Sequence, residues 1–480
     1  MTVLEGVDLL GLEGPGTTRR VDISIEGGVI AAITPSQKVP VRRLLALPGL
    51  ANAHDHGRPL SPTSFGGAAK PLESWILRLG SMPSVDARLA ATASLGRAAR
   101  GGCASVMVHC TRLQGSMEQA AAEVQQVAAA AADVGVRVTF AMYLRDRNPL
   151  VYGASEDVLT QMPTGPAHDI ESLFCGAMPS AAEQIARVEE IAAAAESPWF
   201  TVQYGPTAVQ WCSDELLSAV AEASARTGRR VHMHMLETKY QRAWADQNCP
   251  KGILQHLKDI GLLSPRVALA HCVYARPEDL ALIAEAGATI VTNPSSNLHL
   301  ASGIAPIPEA LKRGCRLAIG VDGSAFDEDD DAIRELRLAH FFHGGWGFDE
   351  NISREALLAR SVAAGRFANG APGSGALEVG APADILLLDL DKLDADAIMP
   401  VDPLDFVFAR ATRQHIAHLY VGGREILTYG HLTGVDLDQV HAELRAQYRA
   451  RMSGKGGFLE AWPRLEPAVA RFYRERMGCC

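Results

Sequence analysis

The sequence predicts an α/β protein: a (β/α)8 barrel of the TIM type joined to a small β-sandwich built from both termini. Three observations lead there. Between about residues 86 and 370, Ala-rich helical stretches alternate with short apolar strands, about eight times. The first fifty residues read as β structure, and β texture returns after residue 375. Repeated βα units form a parallel sheet, and eight of them close into a barrel, with a doubly wound open sheet as the structural rival.

The N-terminal segment RRVDISIEGGVIAAITP alternates apolar and polar residues through Val21, Ile23 and Ile25, turns at Gly27-Gly28 and runs on from Val29 to Ile33, the pattern of a hairpin. DARLAATASLGRAARGG then predicts a helix before the buried strand CASVMVHC, and SMEQAAAEVQQVAAAAADVGV a helix before RVTFAMYL. The rhythm continues through WFTVQYGP, VHMHM, VALAHCV, ATIVTNP and RLAIGVDG. Beyond it, ADILLLDLD and HIAHLYVGGREIL read as strands, the second interrupted by a Gly-Gly turn. The expected division is a β-sandwich from 1–50 and 375–433, a barrel from 51–374, and an amphipathic helical tail from 434–480 in which Trp462, Phe472 and Tyr473 pack.

Composition bounds the function. The 480 residues are 48% hydrophobic and 21% charged, ordinary for a globular chain, and the net charge of −10 with no basic block argues against nucleic-acid and anionic-membrane partners. No apolar run reaches the length of a membrane span, and MTVLEGVDLLGL lacks the basic start of a signal peptide, so a cytoplasmic enzyme is expected. Nine cysteines without a CxxC pair read as reduced core residues; the Cys479-Cys480 end fits no prenylation signal.

The chemistry lies in the histidines. In LPGLANAHDHGR, His54 and His56 sit two apart at the end of an apolar run, so on a strand they share one face. At the C-terminal mouth of a barrel, two imidazoles aimed at one point suit a divalent metal, against the plainer reading of a surface or core pair. VHMHMLETKY repeats the arrangement with His232 and His234, and Glu237 follows as a carboxyl able to move protons on a metal-bound water, or simply to favour a helix N-terminus. His271 ends VALAHCVY and Asp322 closes the apolar run of RLAIGVDG; the acidic run 327–331 after it is a solvated loop or a first helical turn.

With LPGLANAHDH, HMHMLET, ALAHCV, TNPSSNLHLASGIAPIPE and AIGVDGSAFDED in this order, the chain resembles the amidohydrolase superfamily over nearly its whole length, in the branch of cytosine/guanine deaminases and chlorohydrolases. The resemblance implies metal ligation by His54, His56, His234 and Asp322, proton transfer to substrate by Glu237, and a polarising or orienting role for His271 at the metal centre. It leaves His232 as a supporting residue and implies a homo-oligomer. Some relatives bridge two metals with a carbamylated lysine; the only lysine between His56 and His234 is Lys70, in a loop, so one metal is expected, Zn²⁺ first, with Fe²⁺ and Mn²⁺ open.

The expected reaction is deamination of an amino-substituted N-heterocycle of purine, pyrimidine, pterin or triazine type. A metal-bound hydroxide attacks the ring carbon, Asp322 takes its proton, Glu237 protonates a ring nitrogen, and ammonia leaves. Hydrolysis of a cyclic amide or of a chloro or alkylamino substituent is the alternative, and a non-catalytic binding protein the remote one. Adenosyl deaminases of this branch carry a histidine after the fourth strand where GPTAVQW has Thr207, which speaks against an adenosyl substrate. Substrate contacts are expected from Gln210 and Trp211, from Arg145 and Asn148 after the third strand, from His109 at the end of the second, and from Trp75 in a lid.

Overall fold

The structure, a computed structural model, describes residues 1–480 apart from 13, 15, 69, 148, 149, 324, 325 and 478–480. Four strands open the chain: β1 (Thr2–Leu9), β2 (Arg19–Glu26), β3 (Val29–Pro35) and β4 (Leu44–Pro48). Eight follow at the rhythm read from the sequence: β5 (Leu50–Asp55), β6 (Cys103–His109), β7 (Arg137–Leu144), β8 (Phe200–Pro206), β9 (Val231–Met235), β10 (Val267–His271), β11 (Thr289–Thr292) and β12 (Arg316–Ile319). The last four are β13 (Ile385–Asp389), β14 (Ile416–Val421), β15 (Arg424–Thr428) and β16 (His431–Leu432).

Strands β5 to β12 lie side by side in sequence order, every pair parallel. The barrel nearly closes where β12 returns to β5: the Asp322 N–H donates to the His54 carbonyl at 2.8 Å, and the Val321 N–H to Asn52 Oδ1 at 3.0 Å. The approach is tight enough to require glycine at 320, where a Cβ would stand 2.7 Å from the His54 Cβ and 2.9 Å from its nitrogen. Parallel strands buried on both faces need continuous apolar runs, which is why CASVMVH and VALAH carry no polar alternation.

The terminal strands form one continuous mixed sheet in the order β16-β15-β14-β13-β4-β1-β2-β3. Its central pair, β4 against β13, is antiparallel and faces two cores. Ala46, Ile385 and Leu387 join Val21, Ile23 and Ile30 in the sheet's own core, whereas Leu45, Leu47, Leu386 and Leu388 point into the barrel's. A period of two along each strand thus welds the sheet to the barrel.

Helices cover the outside. Ser213 caps Asp214–Thr227 through the Leu216 N–H, and Ser180 with Glu183 forms a capping box on Ala181–Ala195. The C-terminal helices Leu437–Arg451 and Gly456–Arg476 fold back over the barrel mouth. The first packs on Ala87–Arg100 at Gly96; the second lies across Leu72–Arg78 and Thr164–Phe174, burying Phe458, Trp462, Phe472 and Tyr473. No helix among the described residues is long and apolar enough to cross a membrane.

One buried ion pair ties barrel to sheet. Arg366, 1% exposed, donates through Nη1 to Asp384 Oδ2 at 2.7 Å; Arg137 Nε reaches the same oxygen at 3.3 Å, and the Gly422 N–H donates to Oδ1 at 2.6 Å. Removing one partner strands a charge in a dry joint. Arg366→Ala should therefore cost about 3–5 kcal/mol of stability, read as a drop in the urea midpoint; a loss below about 1 kcal/mol would place the joint elsewhere.

Candidate active site

Four strand ends converge at the barrel mouth and bring five side chains together. His54 lies within β5 and His56 directly after it; His234 lies in β9 and His271 ends β10. Asp322 is three residues beyond β12 rather than at its last residue, because the chain turns there with φ +62° to give its amide to β5. His271 also has a positive φ, +74°. Non-glycine residues in this region are uncommon and cluster at functional sites.

Hydrogen bonds at the far nitrogens fix the ring tautomers. His56 Nδ1–H donates to the His109 carbonyl at 2.9 Å and His234 Nδ1–H to the Thr207 carbonyl at 2.7 Å. Each Nε2 therefore carries a lone pair, and the two lie 3.4 Å apart. Asp322 Oδ1 stands 3.0 Å from His56 Nε2 and 3.2 Å from His54 Nε2, while His54 Nδ1 shares a hydrogen bond of 2.8 Å with His232 Nε2. The ligand atoms of His54, His56 and His234 all lie within 4.8 Å of one another, as do those of His54, His271 and Asp322. Buried lone pairs and a carboxylate oxygen facing one another repel unless a cation sits among them, so the donor set fits a divalent metal.

The charges are arranged to match. Burial opposes ionisation of Asp322, but His54 and His56 outweigh it and hold the carboxyl well below its ordinary range. Burial lowers the His234 pKa well below 6.5, keeping that ring neutral, and brings His271 to about 4. Glu237 is pushed well above the usual carboxylate range, first by burial, then by the Asp322 and Glu73 charges. Its Oε2 stands 3.6 Å from His271 Nε2.

A second layer steadies this set. Ser296 Oγ donates to Asp322 Oδ2 at 2.5 Å, and Asn297 Oδ1 accepts from His271 Nδ1 at 2.8 Å. Both sit on the short helix Pro294–His299, the PSSNLH of the fourth quoted motif, and Glu335 Oε1 accepts from the Ser295 N–H there at 2.8 Å. The Glu237 N–H donates to Gln241 Oε1 at 2.8 Å; Gln241, Tyr152, Thr238 and the buried Glu73 form one network beneath it.

A cavity of about 40 Å³ opens onto this set of histidines and carboxylates. His56, His234, Glu237, His271 and Asp322 form its floor, Leu72, Trp75, Ile76, Leu79 and Leu300 an apolar wall, and Arg58, Thr111, Thr207, Trp211 and Gln241 the rest. Trp75, on Leu72–Arg78, is fixed by Nε1–H donation to the Gly67 carbonyl at 3.0 Å. Other candidates lie elsewhere. His109 is fully buried beneath the cavity, its ring 4.7 Å from that of His234. Gln210 is buried outside the lining, in the short turn Val209–Trp211. Arg145 turns away, its guanidinium 5.4 Å over the Tyr143 ring, and the adjacent Asp146 accepts from the Ser213 N–H and hydroxyl. Asn148 lies outside the described residues. The acidic run is not uniformly solvated: Asp330 is buried against Arg97, and Asp331 caps Ala332–His343. Lys70 pairs with Glu466 near the surface, far from any bridging role. Arg58 is a site residue that no local pattern singled out, and Ser296 and Asn297 lie in the fourth quoted motif, which gave them no individual role.

The amidohydrolase family model matches residues 45–426. The chain belongs to the amidohydrolase family. It is 27% identical over 469 residues, 94% of its length and 99% of the other's, to a 5-methylthioadenosine/S-adenosylhomocysteine deaminase of Caldanaerobacter subterraneus subsp. tengcongensis. A 5'-deoxyadenosine deaminase of Methanosarcina barkeri is 36% identical over 193 residues, 39% of this chain and 44% of that protein. Two solved structures share the amidohydrolase fold. A zinc-bound adenosine deaminase from Xanthomonas campestris has TM-score 0.76 and 22% identity, covering 94% of this chain and 98% of that one. An atrazine chlorohydrolase TrzN variant from Arthrobacter aurescens with zinc and atraton has TM-score 0.75 and 23% identity, covering 93% and 100%.

Two outcomes test this site. His234→Ala should leave well under half of the zinc that the unmodified chain, at about one ion per chain, keeps after dialysis, measured by atomic absorption; full retention would remove His234 from the ligand set. Burial raises Glu335 from 4.5 to about 7. The folded state then holds an extra proton between those values, so stability falls as pH rises through that window and levels off above it. In Glu335→Gln the difference in urea midpoint between about pH 5 and pH 8 should shrink; an unchanged difference would refute the linkage.

Proposed function

We propose that this amidohydrolase is a metal-dependent aminohydrolase that removes an amino group from a small N-heterocycle. The observation that carries the reading is the gathering of His54, His56 and His234 with their ligand atoms within 4.8 Å of one another and the Asp322 carboxylate 3.0 Å from His56 and 3.2 Å from His54, with the protonated form of Glu237 favoured beside them. Among divalent ions zinc suits three imidazoles and one carboxylate best, and His54, His56, His234 and Asp322 would hold it. When bound, such an ion acts as a Lewis acid and brings the pKa of water to roughly 7.

The chain's own groups supply the rest. Asp322, held anionic by His54 and His56 and oriented by Ser296, is placed to take a proton from water at Oδ1. Glu237 keeps its proton to higher pH than an exposed carboxyl and can deliver it from Oε2 to a ring nitrogen, which makes the ring carbon more electrophilic. Neutral His271, with Nδ1–H committed to Asn297, presents Nε2 as an acceptor next to Glu237 and orients that proton. Trp75 and Trp211 offer flat apolar faces to an aromatic ring, and the Leu72–Arg78 helix above excludes water. The relatives named as adenosyl deaminases support amino-group hydrolysis, while Thr207 on the cavity wall supports a different substituent on the ring.

Zinc-loaded protein should release ammonia from at least one aminated purine, pyrimidine, pterin or triazine, and Glu237→Gln should slow that release by about 10²–10⁴-fold with its zinc intact. Chloride or alkylamine release in place of ammonia would overturn the leaving group; turnover unchanged in the variant would overturn the role of Glu237.

A further inference from the structure

A second cavity of about 80 Å³ adjoins the first, and His56, Arg58, Leu79 and Thr111 line both. Its outer wall is Met82, Arg112, Gln114 and Tyr448. The basic groups here are unusual for a chain of net charge −10. Half-buried Arg58 stacks 4.8 Å over the Trp75 ring and donates through Nη1 to the Asp322 carbonyl at 3.0 Å. Asp55, Asp322, Asp330 and Glu237 attract it, yet among the described residues none forms an ion pair with it within 4.0 Å.

The rim is similar. Arg112, exposed at the mouth, donates to the Met82 carbonyl at 2.8 Å and to Ser84 Oγ at 3.1 Å, and Arg451 donates to the Ser84 carbonyl at 2.6 Å. Lys455 stands close enough to Arg112 to be repelled by it. None of these three has a carboxylate within ion-pair distance among the described residues, and the nearby Glu123 is engaged with the N–H groups of Gln114 and Gly115. Like charges gathered around a cavity without counter-charges repel one another unless an anion enters, and a guanidinium fork fits an acidic oxygen group.

We propose that this entry compartment holds an acidic oxygen group, a carboxylate or a phosphate, carried by the substrate a short linker away from the reacting ring. The substrate is thus an anionic aminated heterocycle, with Arg58 as its inner anchor and Arg112, Arg451 and Lys455 as its outer field. The inference rests on the heterocycle reading above. It also accounts for the small volume beside the metal-binding set, which has room for the ring's reacting edge while the tail lies next door.

The test uses zinc-loaded full chain and probes built on aminopurine, aminopyrimidine and aminotriazine rings, each carrying a carboxymethyl, a phosphonomethyl or a neutral carbamoylmethyl arm. Binding is read by calorimetry and ammonia is assayed in the same samples. For at least one ring, an acidic probe should bind about tenfold or more tighter than its neutral partner, and the tighter acid names the group. That preference should fall about tenfold in Arg58→Gln and in the Arg112→Gln/Lys455→Gln double variant, survive largely in Arg58→Lys, and shrink in high salt, with zinc content unchanged. Equal binding of acidic and neutral probes on every ring, a preference untouched by both sets of substitutions, or no acidic probe bound at about 1 mM would overturn it. Acidic preference without ammonia upholds the compartment and overturns deamination; ammonia released equally well from neutral probes does the reverse.

Discussion

The site depends on the seam where the last barrel strand meets the first. There the amide of Asp322 bonds to the carbonyl of His54, so a carboxylate and an imidazole proposed as metal ligands are joined through one backbone hydrogen bond of 2.8 Å. Gly320 permits the approach, and Asn52 completes it from the side. Side chains separated by more than 260 residues thereby become neighbours at fixed spacing, and the positive φ at Asp322 is the local strain that this spacing requires.

From that seam the electrostatics follow in layers. Burial lowers His234 and His271, His54 and His56 hold Asp322 below its ordinary range, and burial with the Asp322 charge raises Glu237. Two carboxyl groups of similar intrinsic acidity are thus driven apart, one towards base and one towards acid, the division of labour that replacing a ring amino group by water's oxygen, with release of ammonia, calls for. Farther out, the Arg58–Trp75 stack marks the change from a site that handles protons to a mouth dominated by positive charge.

Much of this was legible in the sequence. Strand-end histidines at spacing two, the apolar runs without alternation and the alternating helices specify the barrel and the orientation of His54, His56 and His234, because strand geometry alone places those side chains on one face. The contacts that were not legible cross long sequence gaps. Ser296 meets Asp322 and Asn297 meets His271 only because β10, β11 and β12 stand side by side, and the PSSNLH segment that supplies them is helical, where a period of two carries no information. Arg145 and Gln210 were plausible from loop chemistry, but packing turned one onto Tyr143 and buried the other outside the cavity. The cluster of Arg58, Arg112, Arg451 and Lys455 draws on three segments, and no single stretch of sequence reveals it.

The pairing of β4 with β13 also bears on biosynthesis. β4 leaves the ribosome early, joined to the barrel's first strand by the single residue Gly49, yet the partner that covers its far edge begins at Ile385. Throughout translation of the barrel this apolar strand presents unpaired backbone groups, the kind of edge that recruits foreign strands. The pairing that makes sheet and barrel one body therefore forms only after the whole barrel has been synthesised.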